Sequence, residues 1–538
     1  MRYQGIVVAG LAVAMLATLN CSGPSRRQSG AQPVGAVDSE SQALVEGHRG
    51  GVFRLIIEEP AAIDPSNVAD EGGLQIATYL FAGLVTGRPD GTVSAGVATS
   101  WRPDAGCTQW MFQLRHGTRF HNGEEVTSRS FARGWRRAAN GGAAFLLESI
   151  RDVDTSNPYV LEVKLARPDC DFPRRMFHPV FSPVPSSAGA IGNRAYNDQP
   201  IGNGPFAMDG PWSHDRGIRL VRNDDFELGA KANLDAAELT ISVDPAADSN
   251  TGLRAGAADW TRVAPTDLDS LHDQPDRRLI FGQATGTYYL VPMVTIEPLD
   301  VAAARRALSL AIDRDAIIRE VFDDGLRAAT SLVPPLTGMA AAPKTLDACR
   351  FDPVEARRLA VRAGLTAGTV LHFRYNDDGG HEAWSVAVKR QLETNLGIKV
   401  NYYGLPFVKL RAEERAPGAS GISRGGWGLD YPSADNILAQ LTTAAIGTAD
   451  PAELTNGDNI GRYRNPRFDR LLDRARATVD EASRSALYRQ AEAVAIGEDL
   501  ALIPLWYTRE YRLVASDRFT NVRMDWWNNA NLSLISLR

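Results

Sequence analysis

The chain is organised around the stretch Arg424-Gly425-Gly426-Trp427-Gly428-Leu429-Asp430-Tyr431-Pro432. Its three glycines surround a tryptophan and leave backbone N–H and C=O groups uncovered, so that an extended chain can pair with them. If this strand lines a dry cleft, the carboxylate of Asp430 needs a cation, because a buried unpaired charge is costly. The amino terminus of a peptide is such a cation. A surface turn that Asp430 merely starts is the alternative interpretation.

Length and composition limit the class of protein. The chain has 538 residues, enough for about three lobes at roughly 150 residues per domain. Hydrophobic residues make up 44% and charged residues 23%, which is typical of a globular protein. The formal net charge of -6 provides no electrostatic footprint for nucleic acid, so we predict no nucleic-acid partner.

The N-terminal region has the pattern of an exported protein. Its apolar run from Ile6 to Leu19 is short for a bilayer span and suits a signal peptide. The following residues are rich in Ser, Gly, Gln and Ala, which predicts an unfolded linker. A cysteine before such a linker resembles a bacterial lipoprotein. We therefore expect a signal peptide over 1–21 that ends at a lipidated Cys21 and a disordered linker over 22–50, with plain secretion as the alternative.

A second candidate site lies at the start of a predicted helix. Residues 371–410 follow a strand, helix, strand pattern, in which Gly397 ends the helix. His381 stands at the start of that helix, directly after a polar run that ends at Gly380. A helix N-terminus and a histidine both favour an anion. A solvated histidine in a loop is the alternative.

Several motifs occur in an order that resembles one known family. They include Glu59-Pro60 with Asp64-Pro65 before a helix, Trp110 to Gly123, Ile201 to Phe206, Ala304 to Arg314, Arg424 to Pro432, and Tyr463 to Leu472. In this order the chain resembles the oligopeptide- and dipeptide-binding proteins of ABC importers, which are extracellular solute-binding proteins of family 5. The resemblance covers roughly residues 52–520.

The resemblance implies an α/β fold of the periplasmic-binding-protein type. Two lobes, of type II and with an extra subdomain in the first, close on a ligand by a hinge. The implied lobe I core comprises residues 51–72, 200–285 and 504–538, the subdomain comprises 73–199, and lobe II comprises 286–503. Crossings between the lobes are expected near residues 285 and 503.

The resemblance also implies roles for individual residues. Asp430 receives the α-ammonium of the ligand, and backbone groups of Gly426 and Gly428 pair with its main chain. Arg424 and His381 are candidates for the C-terminal carboxylate. The other residues of the implied ligand site are Trp427, Tyr431, Glu59, Pro60 and Ala61.

Beyond Cys21 the chain has Cys107, Cys170 and Cys349. An odd set in an exported protein suggests one disulfide and one thiol. Cys107 and Cys170 fall in the same predicted lobe, which favours them as the candidate disulfide. No Cys/His cluster has zinc spacing, so we predict no metal and no cofactor. His116, His121, Glu124 and Glu125 could be drawn as a metal site, but they flank a Gly turn that favours solvation.

No hydrolase or nucleotide-binding motif is found, so we predict that the protein is not an enzyme. The resemblance implies a monomeric receptor for short peptides, lipid-anchored at the outer face of the cytoplasmic membrane or in the periplasmic space, with ABC permease subunits as partners. A non-peptide ligand such as haem or a nickel complex is the alternative, because the Asn that relatives carry after Tyr289-Leu290 is missing here. A surface adhesin or signalling receptor that uses the same fold is a third class.

Overall fold

A computed structural model describes residues 36–40, 43–68, 70–271, 277–336, 346–447, 457–515 and 517–538. The predicted signal peptide, its Cys21 and residues 22–35 of the predicted linker lie outside this set. Across the ranges just given, no helix combines the length and the apolar character needed to cross a membrane.

The strands are, in chain order, β1 (Val37–Asp38), β2 (Val52–Ile57), β3 (Val85–Gly87), β4 (Val93–Ala95), β5 (Ala98–Pro103), β6 (Gln109–Leu114), β7 (Ile150–Asp154), β8 (Val160–Leu165), β9 (Phe206–Met208), β10 (Gly217–Arg222), β11 (Ala236–Ile241), β12 (Trp260–Val263), β13 (Arg277–Phe281), β14 (Gly286–Pro292), β15 (Arg327–Ala328), β16 (Val370–Asn376), β17 (Lys399–Leu405), β18 (Ile422–Gly428), β19 (Ile503–Tyr507), β20 (Tyr511–Ala515), β21 (Phe519–Thr520) and β22 (Ser536–Leu537).

The α-helices are α1 (Glu71–Leu80), α2 (Ser128–Ala138), α3 (Phe172–Arg175), α4 (Arg194–Asp198), α5 (Pro245–Arg254), α6 (Ala302–Leu310), α7 (Arg314–Phe322), α8 (Pro353–Arg362), α9 (Glu382–Leu396), α10 (Phe407–Arg415), α11 (Ala434–Leu438), α12 (Pro466–Arg476) and α13 (Glu481–Glu492), which continues as a π-helix over Ala493–Glu498. Three of them begin with an Asp or Asn cap followed by proline, at Asp244, Asp352 and Asn465. The cap side chain accepts a free backbone N–H, and proline has no N–H that needs a partner there.

The largest sheet has six strands in the order β15-β19-β14-β18-β16-β17. β14 pairs antiparallel with β18 and β19, whereas β16 pairs parallel with β17 and β18. Helices cover both faces of this sheet, so β14 is apolar on both. Leu290 points into the cluster formed with α6 to α9, and Tyr289 and Val291 point into the cluster formed with α12 and α13.

The other sheets form two further cores. The four-stranded sheets β2-β11-β10-β9 and β1-β13-β20-β12 share one core with α1. The antiparallel sheet β5-β6-β8-β7 packs with α2 around another, which contains the disulfide between Cys107 and Cys170. Cys349 is buried and unbridged. This mixed α/β architecture agrees with the predicted fold class.

Two segments connect the six-stranded sheet to the sheet that contains β13 and β20. Residues 282–285 lead from β13 to β14, and residues 508–510 lead from β19 to β20. They run side by side, because β13 pairs with β20 and β14 pairs with β19. The first lies at the crossing expected near residue 285. The second differs from the expected boundary at 503, because β19 pairs with β14 and therefore keeps residues 503–507 in the six-stranded sheet. The other lobe boundaries stay a prediction.

The prediction of a disordered linker over 22–50 is wrong for the residues that the structure describes, 36–40 and 43–50. β1 pairs parallel with β13, and His48 forms a bridge with Leu537. The N–H of Gly50 donates to the carbonyl of Asn233 over 2.8 Å. These segments gain order by adding backbone hydrogen bonds to existing strands, which local composition does not reveal.

Candidate functional site

β18 is paired on one side and partly open on the other. It pairs with β14 from Ile422 to Gly428, whereas its pairing with β16 covers only Ile422 and Ser423. Within the described part of the chain, the edge of β18 from Arg424 to Gly428 therefore has no neighbouring strand. Such an edge is a template for an added strand.

The register decides which backbone groups face the open edge. The N–H of Met293 donates to Gly421 at one end of the ladder, and the N–H of Leu429 donates to Thr285 at the other. Hydrogen-bonded positions alternate along an antiparallel pair. The N–H and C=O groups of Gly426 and Gly428 therefore point away from β14, toward the open edge.

The glycines of β18 are not equivalent. A Cβ on Gly425 would lie 2.4 Å from the ring of Tyr289, so no side chain fits there. A Cβ on Gly426 would lie 3.2 Å from the ring of Tyr288, whereas one on Gly428 would meet nothing within 4 Å. Gly425 is thus required by packing, and Gly428 borders open space.

Asp430 follows the open edge and is partly buried. Burial raises the pKa of its carboxyl above the ordinary value, while a hydrogen bond from Asn436 and the charge of Arg175 act in the opposite direction. No ion pair within 4 Å among the described residues includes Asp430. The site therefore holds a desolvated carboxylate that can accept a cation.

Asn436 joins the two ends of the motif. Its Nδ2 donates to Oδ2 of Asp430 over 3.0 Å, and its Oδ1 accepts from the indole Nε1 of Trp427 over 2.8 Å and from the N–H of Asp430 over 3.2 Å. Sequence reasoning missed this residue. Ser433 caps α11, and Asn436 is the third helical residue, from which a side chain characteristically folds back toward the preceding segment. That spacing was the available signal.

Tyr431 leads from the open edge to a buried group of charges. It is buried, and the guanidinium of Arg175 lies over its ring, 4.5 Å from the centroid. Burial raises the pKa of Tyr431 beyond any physiological range, so the phenol stays neutral. Tyr431 therefore contributes packing and a ring face, not a charge.

We call this group of charges the ionic junction. It joins α3 and the residues just before it to α11, α12 and α13 through seven residues: Asp169, Asp171, Arg174, Arg175, Asp435, Arg476 and Arg484. Arg175 contacts Asp169 over 2.5 Å and Asp435 over 3.2 Å. Although burial alone would raise the pKa of Asp435, Arg476 and Arg175 hold it below the ordinary value.

The junction is adjacent to the disulfide and to the anchor carboxylate. The N–H of Cys170 donates to the carbonyl of Arg476 over 2.8 Å. Asp435 directly precedes Asn436, which donates the hydrogen bond to Asp430. The ion pairs of Asp435 therefore hold α11, the helix that contains both residues, in place. Sequence reasoning also missed this junction.

Arg424 and His381 lie close together on the opposite face of β18 from Trp427. Arg424 donates from Nε to the side-chain carbonyl of Asn376, and its guanidinium lies over the ring of Phe407. Burial lowers the pKa of Arg424 below its usual value, and none of the ion pairs between described residues satisfies it. It is a half-buried cation beside the open edge.

His381 is more enclosed than a solvated loop residue. Its ring is buried, and its Nδ1 accepts from the indole of Trp384 over 3.2 Å. Burial, followed by the charge of Arg424, lowers the pKa of His381 to about 4, so the imidazole is neutral at pH 7. Its side chain makes no capping bond to α9.

The residues predicted from the first lobe lie in the loop after β2. The carboxylate of Glu59 pairs with His214 over 2.8 Å, Pro60 is buried, and the N–H of Ala61 donates to Asp70 over 3.0 Å. Among the described hydrogen bonds, none connects this loop directly to β18. The N–H of Ala61 is therefore already occupied, which sequence reasoning did not foresee.

A cavity of about 300 Å³ lies beside this loop. Glu58, Glu71, Arg262 and Arg512 are among its lining residues. Arg262 contacts Glu510, in the segment 508–510, over 2.9 Å. The cavity therefore borders the connection to the six-stranded sheet.

The His116 to Glu125 cluster serves other contacts. The ring of His116 stacks on Tyr159 at 3.7 Å, and the hydroxyl of Tyr159 donates to Glu125 over 2.9 Å. In the described ranges, no group of three or more His, Cys, Asp or Glu side chains is arranged to hold a metal ion.

Comparison with solved structures identifies the fold. The chain superposes on "MppA Periplasmic Murein Tripeptide Binding Protein, Unliganded Open Form" with a TM-score of 0.77 and 22% identity, covering 92% of this chain and 99% of that one. It superposes on HbpA2 from Haemophilus parasuis with a TM-score of 0.80 and 20% identity, covering 90% and 99%. The two-lobed periplasmic-binding-protein fold predicted from the sequence is confirmed.

Comparison with characterised proteins and with a family model agrees. The chain is 27% identical over 485 residues to the "Probable deoxycholate-binding periplasmic protein YgiS" of Escherichia coli (strain K12), covering 84% of this chain and 86% of that protein. It is 26% identical over 545 residues to the "Periplasmic oligopeptide-binding protein OppA" of Salmonella typhimurium, covering 95% and 94%. The model of "Bacterial extracellular solute-binding proteins, family 5 Middle" matches residues 92–448, more than half of the chain. The chain therefore belongs to the extracellular solute-binding proteins of family 5 and is a binding protein, not an enzyme.

Proposed function

We propose that this protein is the substrate-binding component of an ABC importer and that it captures short peptides. The observation that carries the proposal is that an open strand edge ends at a desolvated carboxylate, Asp430, which forms no ion pair within 4 Å among the described residues. An extended peptide supplies both missing partners, because it brings a strand and an ammonium group. The oligopeptide-binding relative named above supports this ligand class.

Backbone pairing is the first element of the proposal. Gly426 and Gly428 present N–H and C=O groups to the open edge, and hydrogen bonds to these groups are independent of ligand side chains. The side chain of Trp427 lies on the face of β18 opposite to that of Arg424. A peptide strand at this edge would run beside β18 toward Asp430. The loop of Glu59, Pro60 and Ala61 is the proposed second contact, through main-chain groups other than the N–H of Ala61.

Charge pairing at the termini is the second element. Asp430 holds the α-ammonium, because a cation offsets the cost of its burial. Arg424 is the proposed partner of the C-terminal carboxylate. Neutral His381 can contribute a hydrogen bond at most. Peptides of different lengths would reach Arg424 to different extents.

The remaining elements concern the setting of the protein. We propose that the two lobes close on the ligand about residues 282–285 and 508–510 and deliver it to permease subunits. A monomer anchored through a lipid on Cys21, outside the cytoplasmic membrane, fits this role. Labelling of cells with a radioactive fatty acid, compared with a Cys21→Ser variant, tests the anchor.

The experiment that tests the function has two stages. Native mass spectrometry of the protein without residues 1–35 would identify co-purifying ligands, and a ladder of peptides with free amino termini is expected. Calorimetry with a bound peptide then compares wild type with Asp430→Ala. Loss of the anchor should weaken binding by about two orders of magnitude or more, since breaking a desolvated charge pair costs about 3–5 kcal/mol. A change of less than about threefold contradicts the anchor, and a single haem or nickel-complex mass contradicts the peptide ligand.

A further inference from the structure

We propose that Asn436 is the positioning residue of the amine anchor: its carboxamide holds the Asp430 carboxylate in place and keeps it available to a ligand ammonium. This inference rests on the proposed peptide-capture function and deepens it. Asn436 does not itself touch the ligand in this account. It acts through Asp430.

The hydrogen bonds around Asn436 fix which way its amide points. Oδ1 accepts from two donors, the indole of Trp427 and the N–H of Asp430, so it cannot be exchanged with Nδ2 without leaving both donors facing an NH₂ group. Nδ2 is thereby directed at Oδ2 of Asp430 over 3.0 Å. The amide is thus locked in the orientation that donates to a carboxylate.

The arrangement leaves one carboxylate oxygen for the ligand. Among the described residues, Asn436 is the one side chain that donates a hydrogen bond to Asp430, and it uses Oδ2. Oδ1 accepts nothing from another described residue. A charged carboxylate accepts bonds at both oxygens, so the ammonium of a ligand has a free position.

The support for Asn436 is rigid. Asn436 is 6% exposed, and it sits on α11 between the Ser433 cap and the ion pairs of Asp435. Because Arg175 and Arg476 both contact Asp435, the first turn of the helix cannot rotate without breaking buried charge pairs. A hydrogen bond to the charged form of an acid also favours that form. Asn436 therefore controls both the position and the ionisation of Asp430.

The test compares ligands that differ only at the amino terminus. Trialanine and tetraalanine, each with a free or an N-acetylated amino terminus, are titrated into wild type, Asn436→Leu and Asn436→Ala from pH 4.5 to 8. Wild type should prefer the free amine. Loss of Asn436 should weaken binding of the free-amine peptides about tenfold to hundredfold and change binding of the acetylated peptides less than about twofold.

The pH dependence of peptide affinity distinguishes a positioning role from a merely structural one, because a structural role would leave the midpoint of that dependence unchanged. Affinity for the free amine should fall on acidification as Asp430 becomes protonated, and the midpoint should lie at higher pH in both variants. Asn395→Ala is the matched control, because the Nδ2 of Asn395 donates to the carbonyl of Ala311 over 2.8 Å, outside the site. It should leave the amine preference and the midpoint unchanged. Thermal melts identify any variant that fails to fold, and the second variant then decides.

The outcomes separate this inference from the function on which it rests. If wild type prefers the free amine but both Asn436 variants keep the same preference and the same midpoint, the positioning role is overturned and the proposed function stands. If wild type binds acetylated and free peptides equally well, Asp430 is not an amine anchor and the positioning role of Asn436 is overturned, while peptide capture stands. If wild type binds none of the four peptides, the proposed function fails as well.

Discussion

At the scale of single residues, identical amino acids in β18 serve different purposes. Gly425 is glycine because the ring of Tyr289 occupies the space of a side chain. Gly428 has no such neighbour, and its backbone faces the open edge. Glycine is therefore required by packing at position 425, whereas at position 428 it leaves the backbone accessible.

Alanine substitutions should separate these two roles. Gly425→Ala is expected to destabilise the protein by about 1–3 kcal/mol, since overpacking a buried site forces its neighbours to move. Gly428→Ala should change stability by less than about 0.5 kcal/mol. Urea unfolding of both variants measures the difference. Equal midpoints for the two would contradict the packing assignment of Gly425.

At the scale of elements, the open edge of β18 leads to a prediction about peptide binding. Proline at position 428 removes an N–H that faces away from β14, which a sheet edge tolerates. Gly428→Pro should therefore retain the fold and weaken peptide binding about tenfold, as expected for one lost hydrogen bond. Calorimetry measures the change. Gly428→Ala, which keeps the N–H, is the control and should bind nearly as wild type does.

The ionic junction is also a feature of elements, because it connects four helices. Arg175→Met would leave Asp169 and Asp435 without one of their partners in a buried setting. Breaking such a pair costs about 3–5 kcal/mol, whereas the exposed pair of Arg358 and Glu355 contributes little. Chemical denaturation should show a large loss for Arg175→Met and a loss within about 0.5 kcal/mol for Arg358→Ala. Comparable losses of unfolding free energy in the two variants would contradict the assignment of the ionic junction as a stabilising group of buried ion pairs.

At the scale of the whole molecule, buried acids couple stability to pH. Glu492 accepts the N–H groups of Leu332 and Val333 over 2.8 Å each, and burial raises its pKa to about 7. Burial also raises the pKa of Asp525, which lies between the buried residues Met524 and Trp526, to about 7. Each acid binds its proton more tightly in the folded state than in the unfolded state.

The sign of the effect follows from linkage. Both groups are protonated in either state well below pH 4, and between there and about pH 7 only the folded state retains the protons. Their contribution to stability is therefore lost as the pH rises through about 7. For Glu492 the loss is on the order of 3 kcal/mol.

Thermal unfolding at pH 5.5 and pH 8 should show this dependence, with the lower midpoint at pH 8. Glu492→Gln keeps an oxygen that can accept both N–H groups but cannot titrate, so the difference between the two pH values should shrink. A variant with the same pH dependence as wild type would show that Glu492 does not titrate in this range.

Local patterns sufficed for several features. Gly397 ends α9 in the left-handed conformation with a φ of 72°, as its position after the periodic segment predicts. The strand, helix, strand pattern corresponds to β16, α9 and β17. The order of motifs along the chain led to the correct fold class. These features depend on neighbours within a few residues, or on a sequence order that a whole family shares.

The sequence by itself determined the family and the fold class, and it predicted the glycines of β18 and the following Asp430 as ligand-site residues. Only the tertiary structure decided how those residues are held. Arg175 and Asp435 are 260 positions apart, the ring of His381 lies 5.9 Å from that of Tyr288 in β14, and β1 pairs with β13, far along the chain. Asn436 is close to Asp430 in sequence, yet its role depends on the helix that the ionic junction holds in place. Such contacts arise when distant segments pack together, and no local periodicity records which charges will meet in a low-dielectric interior.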